Sequence, residues 1–99
     1  MGINQEGKNW EIIDYKFKKE INKLPIQCKK KYAVFKYIVE FSGISGLSTY
    51  SGFKLEALQG NLKGQYSVRL NKGYRVIFVV NKNVKQVELY EISKHEYFQ

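Results

Sequence analysis

Apolar residues recur at intervals of three and four through the first half of this chain, and at intervals of two through the second half. The first period belongs to helices packed on one face and the second to half-buried strands, so helices are predicted to precede a sheet. Trp10 to Asp14 reads as a short strand. Asp14 then stands at an N-cap position, ahead of a helix carrying Phe17, Ile21 and Leu24, and Pro25 ends that turn. A second helix is predicted from Ile26 to Ser42, with Cys28, Tyr32, Phe35 and Val39 on one stripe and Val34, Tyr37, Ile38 and Phe41 widening it. Two readings of so broad an apolar face stay open: a core surface covered by a sheet, or a groove for a partner chain.

Gly43, Gly46 and Gly52, interleaved with serines and a threonine, predict a loop between helices and sheet, either functional or a plain connector. A short segment around Glu56 follows, punctuated by Leu55, Leu58 and Leu62. Three strands are then predicted, Gln65 to Leu70, Tyr74 to Val80 and Val84 to Ser93, with turns at Asn71-Lys72-Gly73 and Asn81-Lys82-Asn83. The first hairpin resolves to single-residue register. A three-residue loop with Gly73 left-handed pairs Leu70 with Tyr74, Val68 with Val76 and Tyr66 with Phe78, which stacks the apolar side chains on one face. A two-residue loop would set Leu70 against Arg75 and mix the faces. The expected architecture is α+β, two helices packed on a twisted antiparallel sheet.

Ninety-nine residues suit one domain, and 43% hydrophobic with 15% aromatic content suffices for its core. No low-complexity tract appears, and flexibility is expected only over residues 1–8. A net charge of +8 makes an extended anion such as nucleic acid the first partner to consider. Of 17 basic residues only Arg69 and Arg75 are arginine. The guanidinium fork binds phosphate oxygens in pairs, which an ammonium does not. The hairpin register sets these two directly opposite, where like charges cost roughly 0.2 to 1 kcal/mol. An anion bridging the pair would relieve that repulsion; so would a salt bridge to Glu56 or Glu88. One cysteine and one histidine supply neither an internal disulfide nor a structural zinc site, and no cofactor is expected. Without a signal-like segment or an apolar run near the roughly 18 residues of a membrane span, a cytoplasmic protein is expected.

The run from Lys54 to Phe78, with Leu-Glu56-Ala-Leu58, Gly60, Leu62, Gly64, Tyr66, Arg69 and Tyr74-Arg75 in sequence, resembles the RelE/YoeB group of bacterial toxins from type II toxin-antitoxin pairs. The ending Glu91-Ile-Ser-Lys94-His95-Glu-Tyr97 resembles that group as well. The motifs cover about the C-terminal half; the N-terminal half is similar in organisation only. The resemblance implies a RelE-like fold and a ribosome-dependent mRNA endonuclease that inhibits translation, in which the RNA's own 2′-hydroxyl attacks the adjacent phosphodiester without a metal. Gyrase-inhibiting ParE relatives share the fold without the nuclease site, and a non-catalytic RNA- or ribosome-binding module is a further alternative.

By the same resemblance Glu56 takes the place of the general base and Arg75 that of the arginine stabilising the phosphorane, with Arg69 beside it. His95, whose ordinary pKa lies near neutrality, takes the place of the acid. Tyr97 would stack on a base or orient the phosphate, and Lys54 and Lys94 are candidate phosphate contacts. Some RelE-type toxins carry a lysine or arginine where this chain has Ser67 and His95, so these roles follow the YoeB-like subset. Lys29, Lys30 and Lys31 are either ribosomal RNA contacts or a solvated helix face. The expected partners are the ribosome, its mRNA and an antitoxin that masks the apolar helix and the basic cleft, with operator DNA reached only through the antitoxin.

Overall fold

The computed structural model describes residues 9–60 and 64–94. Strand β1 (Glu11–Ile13) leads through a 3₁₀ turn (Tyr15–Phe17) into α1 (Lys18–Asn22) and the long α2 (Ile26–Leu47). A second 3₁₀ turn (Ser51–Phe53) precedes β2 (Glu56–Ala57), β3 (Gln65–Arg69), β4 (Tyr74–Asn81) and β5 (Gln86–Lys94). These strands form one sheet in the order β1-β5-β4-β3-β2. The sheet is mixed rather than purely antiparallel, because β1 runs parallel to β5. The helices between β1 and the later strands supply the long crossover that a parallel neighbour requires. The expected flexibility of residues 1–8 lies outside the described residues.

The apolar stripe of α2 packs on one sheet face. Cys28, Tyr32, Phe35 and Val39 are all buried, together with Val68, Val76, Phe78, Val87 and Leu89 from the sheet. Phe35 is the hub: its ring lies 5.4 Å from Phe78, 5.5 Å from Tyr32 and 6.4 Å from Phe53, all at tilted angles that suit aromatic quadrupoles. The residues expected to widen the stripe divide. Ile38 joins the core, whereas Val34 is 48% and Tyr37 63% exposed, and the Tyr37 ring packs at a tilted angle 4.7 Å from that of half-buried Phe41.

Three local expectations give way to tertiary structure. Asp14 makes no side-chain cap hydrogen bond. Instead its carboxylate accepts a 2.6 Å bond from the Tyr32 hydroxyl and lies 3.3 Å from the Lys36 ammonium, tying the chain after β1 to α2. The predicted loop from Gly43 begins as helix: α2 is interrupted at Gly43 (φ 67, ψ −161) and resumes to Leu47. Only glycine fits there, since a Cβ would stand 2.7 Å from the Trp10 indole and positive φ is strained for other residues. Lys31 is not a free cation either, for its ammonium donates to the Gly52 carbonyl at 2.7 Å and lies 5.0 Å from the Phe53 ring centroid.

Burial, reinforced by the bond to Asp14, pushes the Tyr32 phenol far above its ordinary value of 10.0. A raised value in the fold means that the protonated phenol stabilises it. That contribution is complete below pH 10 and is lost as the pH climbs beyond it, at up to about 1.4 kcal/mol per pH unit. Urea unfolding measured from pH 9 to pH 11 should show this alkaline slope. Tyr32→Phe should remove Tyr32's share of it while lowering stability near pH 7 by about 1 kcal/mol, as Asp14 loses its donor.

Candidate functional site

Burial of alternate residues of β3 and β4 beneath α2 turns the other set onto the opposite, open face. The register is the expected one: Tyr66 pairs with Phe78, Val68 with Val76 and Arg69 with Arg75. Its turn chemistry differs. Gly73 does not have positive φ; the Asn71 side-chain oxygen accepts from the amides of Gly73 and Tyr74 at 2.7 and 2.8 Å, closing the loop as an Asx turn. The carbonyl of Tyr74 accepts from the Leu70 amide at 2.8 Å, completing the pairing.

β2 brings Glu56 onto the same face. Glu56 pairs with Ser67 and Ala57 with Tyr66, so directly opposed side chains form two rows across the sheet. One row is Glu56, Ser67, Ile77 and Glu91; the next is Arg69, Arg75 and Ser93. Glu56 is thus a diagonal neighbour of Arg69, about 7–8 Å away between α-carbons. Two strand spacings and two residues of rise put it about 12 Å from Arg75. Neither guanidinium makes an ion pair or hydrogen bond with another described residue. Relief by Glu88 is excluded, because that residue pairs with Val79, four residues along β4 from Arg75.

Glu91 was not among the sequence candidates, and a β-bulge puts it there. Phe78 pairs with Leu89 but Ile77 pairs with Glu91, leaving Tyr90 as the extra residue. The phase of β5 therefore reverses beyond Tyr90, which brings Glu91 and Ser93 onto the open face and Ile92 back to the core side.

Residues 8–95 match the family model described as the RelE-like toxin of the type II toxin-antitoxin system HigB. The chain belongs to this family. The toxin's fold also matches solved relatives. The RelE–RelB complex of Pyrococcus horikoshii aligns at a TM-score of 0.68 and 22% identity, covering 92% of this chain and 99% of the archaeal one. The YoeB–YefM complex of Staphylococcus aureus aligns at 0.63 and 21% identity, covering 88% and 98%. A YoeB/ParE toxin of Agrobacterium tumefaciens aligns at 0.57 and 17%, covering 87% and 99%. No curated protein matches the toxin by sequence.

The remaining sequence candidates fall in three places. Lys54 is exposed, with a left-handed backbone (φ 50) that closes the second 3₁₀ turn two residues ahead of Glu56. Lys94 pairs with Tyr74, whose side chain packs on the core, and lines a shallow groove with Glu20, Lys23 and Leu24. It belongs to the helix side and does not join the arginines. His95 and Tyr97 lie outside the described residues. Lys29 borders a groove of about 420 Å³ between α1 and α2, with Lys18 and Lys36. Among the described residues no cluster of three histidine, cysteine or carboxylate side chains is placed to hold a metal, and no helix is long and apolar enough to cross a membrane.

The opposed guanidiniums, without partners among the described residues, carry a stability cost that their removal should reveal. Arg69→Gln is expected to raise the unfolding free energy by about 0.2 to 1 kcal/mol at low salt. The gain should fade as salt screens the pair. An Arg69→Gln variant less stable than the parent at low salt would mean that the guanidinium has a protein partner.

Proposed function

We propose that this toxin is a ribosome-dependent mRNA endonuclease. The observation that carries the reading is the open sheet face, where Arg69 and Arg75 stand opposed, without ion-pair or hydrogen-bond partners among the described residues, and with Glu56 on the adjoining strand. Two positive forks carried on directly paired residues, whose α-carbons stand about 5 Å apart, suit a phosphate whose charge grows during reaction. Preorganised cations of this kind act on the transition state because they need no rearrangement as that charge develops.

In the proposed reaction Glu56 accepts the proton of a ribose 2′-hydroxyl as its oxygen bonds to the neighbouring phosphorus. The bond from phosphorus to the 5′-oxygen breaks, and His95 returns a proton to that leaving oxygen. The products are a 2′,3′-cyclic phosphate and a 5′-hydroxyl. Arg75 and Arg69 hold the non-bridging oxygens, with Lys54 and Tyr97 as further RNA contacts and Lys94 reserved for RNA that passes the helix side. The roles of His95 and Tyr97 rest on the family resemblance of the terminal motif. The antitoxin is proposed to cover this basic face and the outward aromatic pair Tyr37 and Phe41, which suits a partner both acidic and apolar. The site of action is proposed to be the cytoplasm, on translating ribosomes.

In a purified translation system the toxin should cut mRNA within the ribosomal A site, while plasmid supercoiling by gyrase proceeds unaffected. Arg75→Ala should lower the single-turnover rate by about 10²- to 10³-fold. Glu56→Ala should lose activity comparably and keep the parent's unfolding midpoint, while Arg75→Ala, which removes one of the two opposed charges, should unfold no earlier than the parent. Intact message together with blocked supercoiling would replace this reading with gyrase inhibition. Ribosome binding without cleavage would leave a non-catalytic module.

A further inference from the structure

Ser67 is the one buried polar residue among the described part of the chain, at 3% exposure, although it sits on the face turned away from the helices. It lies between Glu56 on β2 and Ile77 on β4, one row from the arginine pair. Its hydroxyl makes no hydrogen bond within the described structure, in contrast to Ser45, Ser48 and Thr49, which each donate to a carbonyl three residues back. No described side-chain oxygen or nitrogen is both sealed from solvent and unpartnered. What remains accessible of Ser67 therefore includes its Oγ. Ser67 is the smallest residue in its row, with the longer side chains of Glu56 and Ile77 directly opposite it on the two neighbouring strands.

We infer that Ser67 is the floor of a phosphodiester subsite, its hydroxyl donating to a non-bridging oxygen of the phosphate that the two arginines hold. A neutral donor at this point differs in kind from the cations above it. It adds a directional bond without adding to the repulsion between Arg69 and Arg75, and its small volume lets the phosphate descend between them. Its accessible Oγ has no hydrogen-bond partner among the described residues, so it is free to donate to an arriving phosphate oxygen. The inference deepens the nuclease reading, since it concerns the same face, but phosphate binding does not require that cleavage occur.

The probe is a single-stranded 2′-deoxy hexanucleotide, which cannot be cut by its own 2′-hydroxyl, titrated into the full chain and followed by NMR at the Ser67 amide and the guanidinium protons of Arg69 and Arg75. Saturable shifts at all three are expected in the parent. Ser67→Ala should weaken binding about tenfold, the effect of one hydrogen bond to a charged acceptor, with the unfolding midpoint unchanged. Ser67→Thr, which keeps the hydroxyl, should retain most of the affinity. Equal affinity for the parent and Ser67→Ala, with Arg75→Ala weakened, would overturn the inference and leave the nuclease reading standing. Absence of saturable binding by the parent would also overturn it. A parent that binds in a Ser67-dependent way yet leaves ribosome-bound message intact would support the subsite and sink the nuclease reading.

Discussion

The two-residue period of β3 and β4 is the constraint on which the site depends. Burying Val68, Val76 and Phe78 under Phe35 leaves Arg69 and Arg75 nowhere to go but the open face. A slip of one residue in either strand would carry that strand's arginine to the core side and its apolar residues into water. The apolar packing that stabilises the fold is thus also what holds two like charges together against their repulsion. Core burial of a single valine is worth roughly 1.5–3 kcal/mol, several times the cost of the opposed pair, so the core sets the register.

The same dependence runs outward to β2 and β5. Glu56 enters the site only because the two-residue β2 pairs with β3, and Ser93 and Glu91 enter only because Tyr90 is extruded as a bulge. Each edge contributes side chains whose facing is set by the central hairpin. On the far side α2 is held by the Tyr32–Asp14 bond and by the close fit of Gly43 against Trp10. These contacts sit beneath the sheet from the arginines, so the scaffold and the proposed chemistry occupy opposite faces.

Much of this was legible in the chain because strong periodicity has one consistent solution. The stripe from Cys28 to Val39 and the pairing of Tyr66 with Phe78 both follow from apolar spacing alone. Features set by distant partners were not legible. A strand of two residues has no period to detect, and the parallel pairing of β1 with β5 joins segments about 75 residues apart in sequence. Asp14 has the chemistry of a cap, and nothing local shows that the Tyr32 hydroxyl will claim it. The bulge did leave a trace: the apolar spacing Val87, Leu89, Ile92 changes from two to three where Tyr90 is inserted. Ser67 left none, since strand alternation sets it with the arginines on the open face, where burial is not expected.

A RelE-like toxin fold thus presents, on one side of its sheet, an opposed arginine pair, a carboxylate on each flank and a largely buried serine. The claim that this face performs RNA transesterification depends on one atom of the substrate. The most direct test is a message carrying a single 2′-deoxynucleotide immediately 5′ of the mapped cut, presented on stalled ribosomes. The account predicts that this message survives intact while its all-ribose counterpart is cut to a 2′,3′-cyclic phosphate. Cleavage of the deoxy-substituted message at the same bond would contradict it.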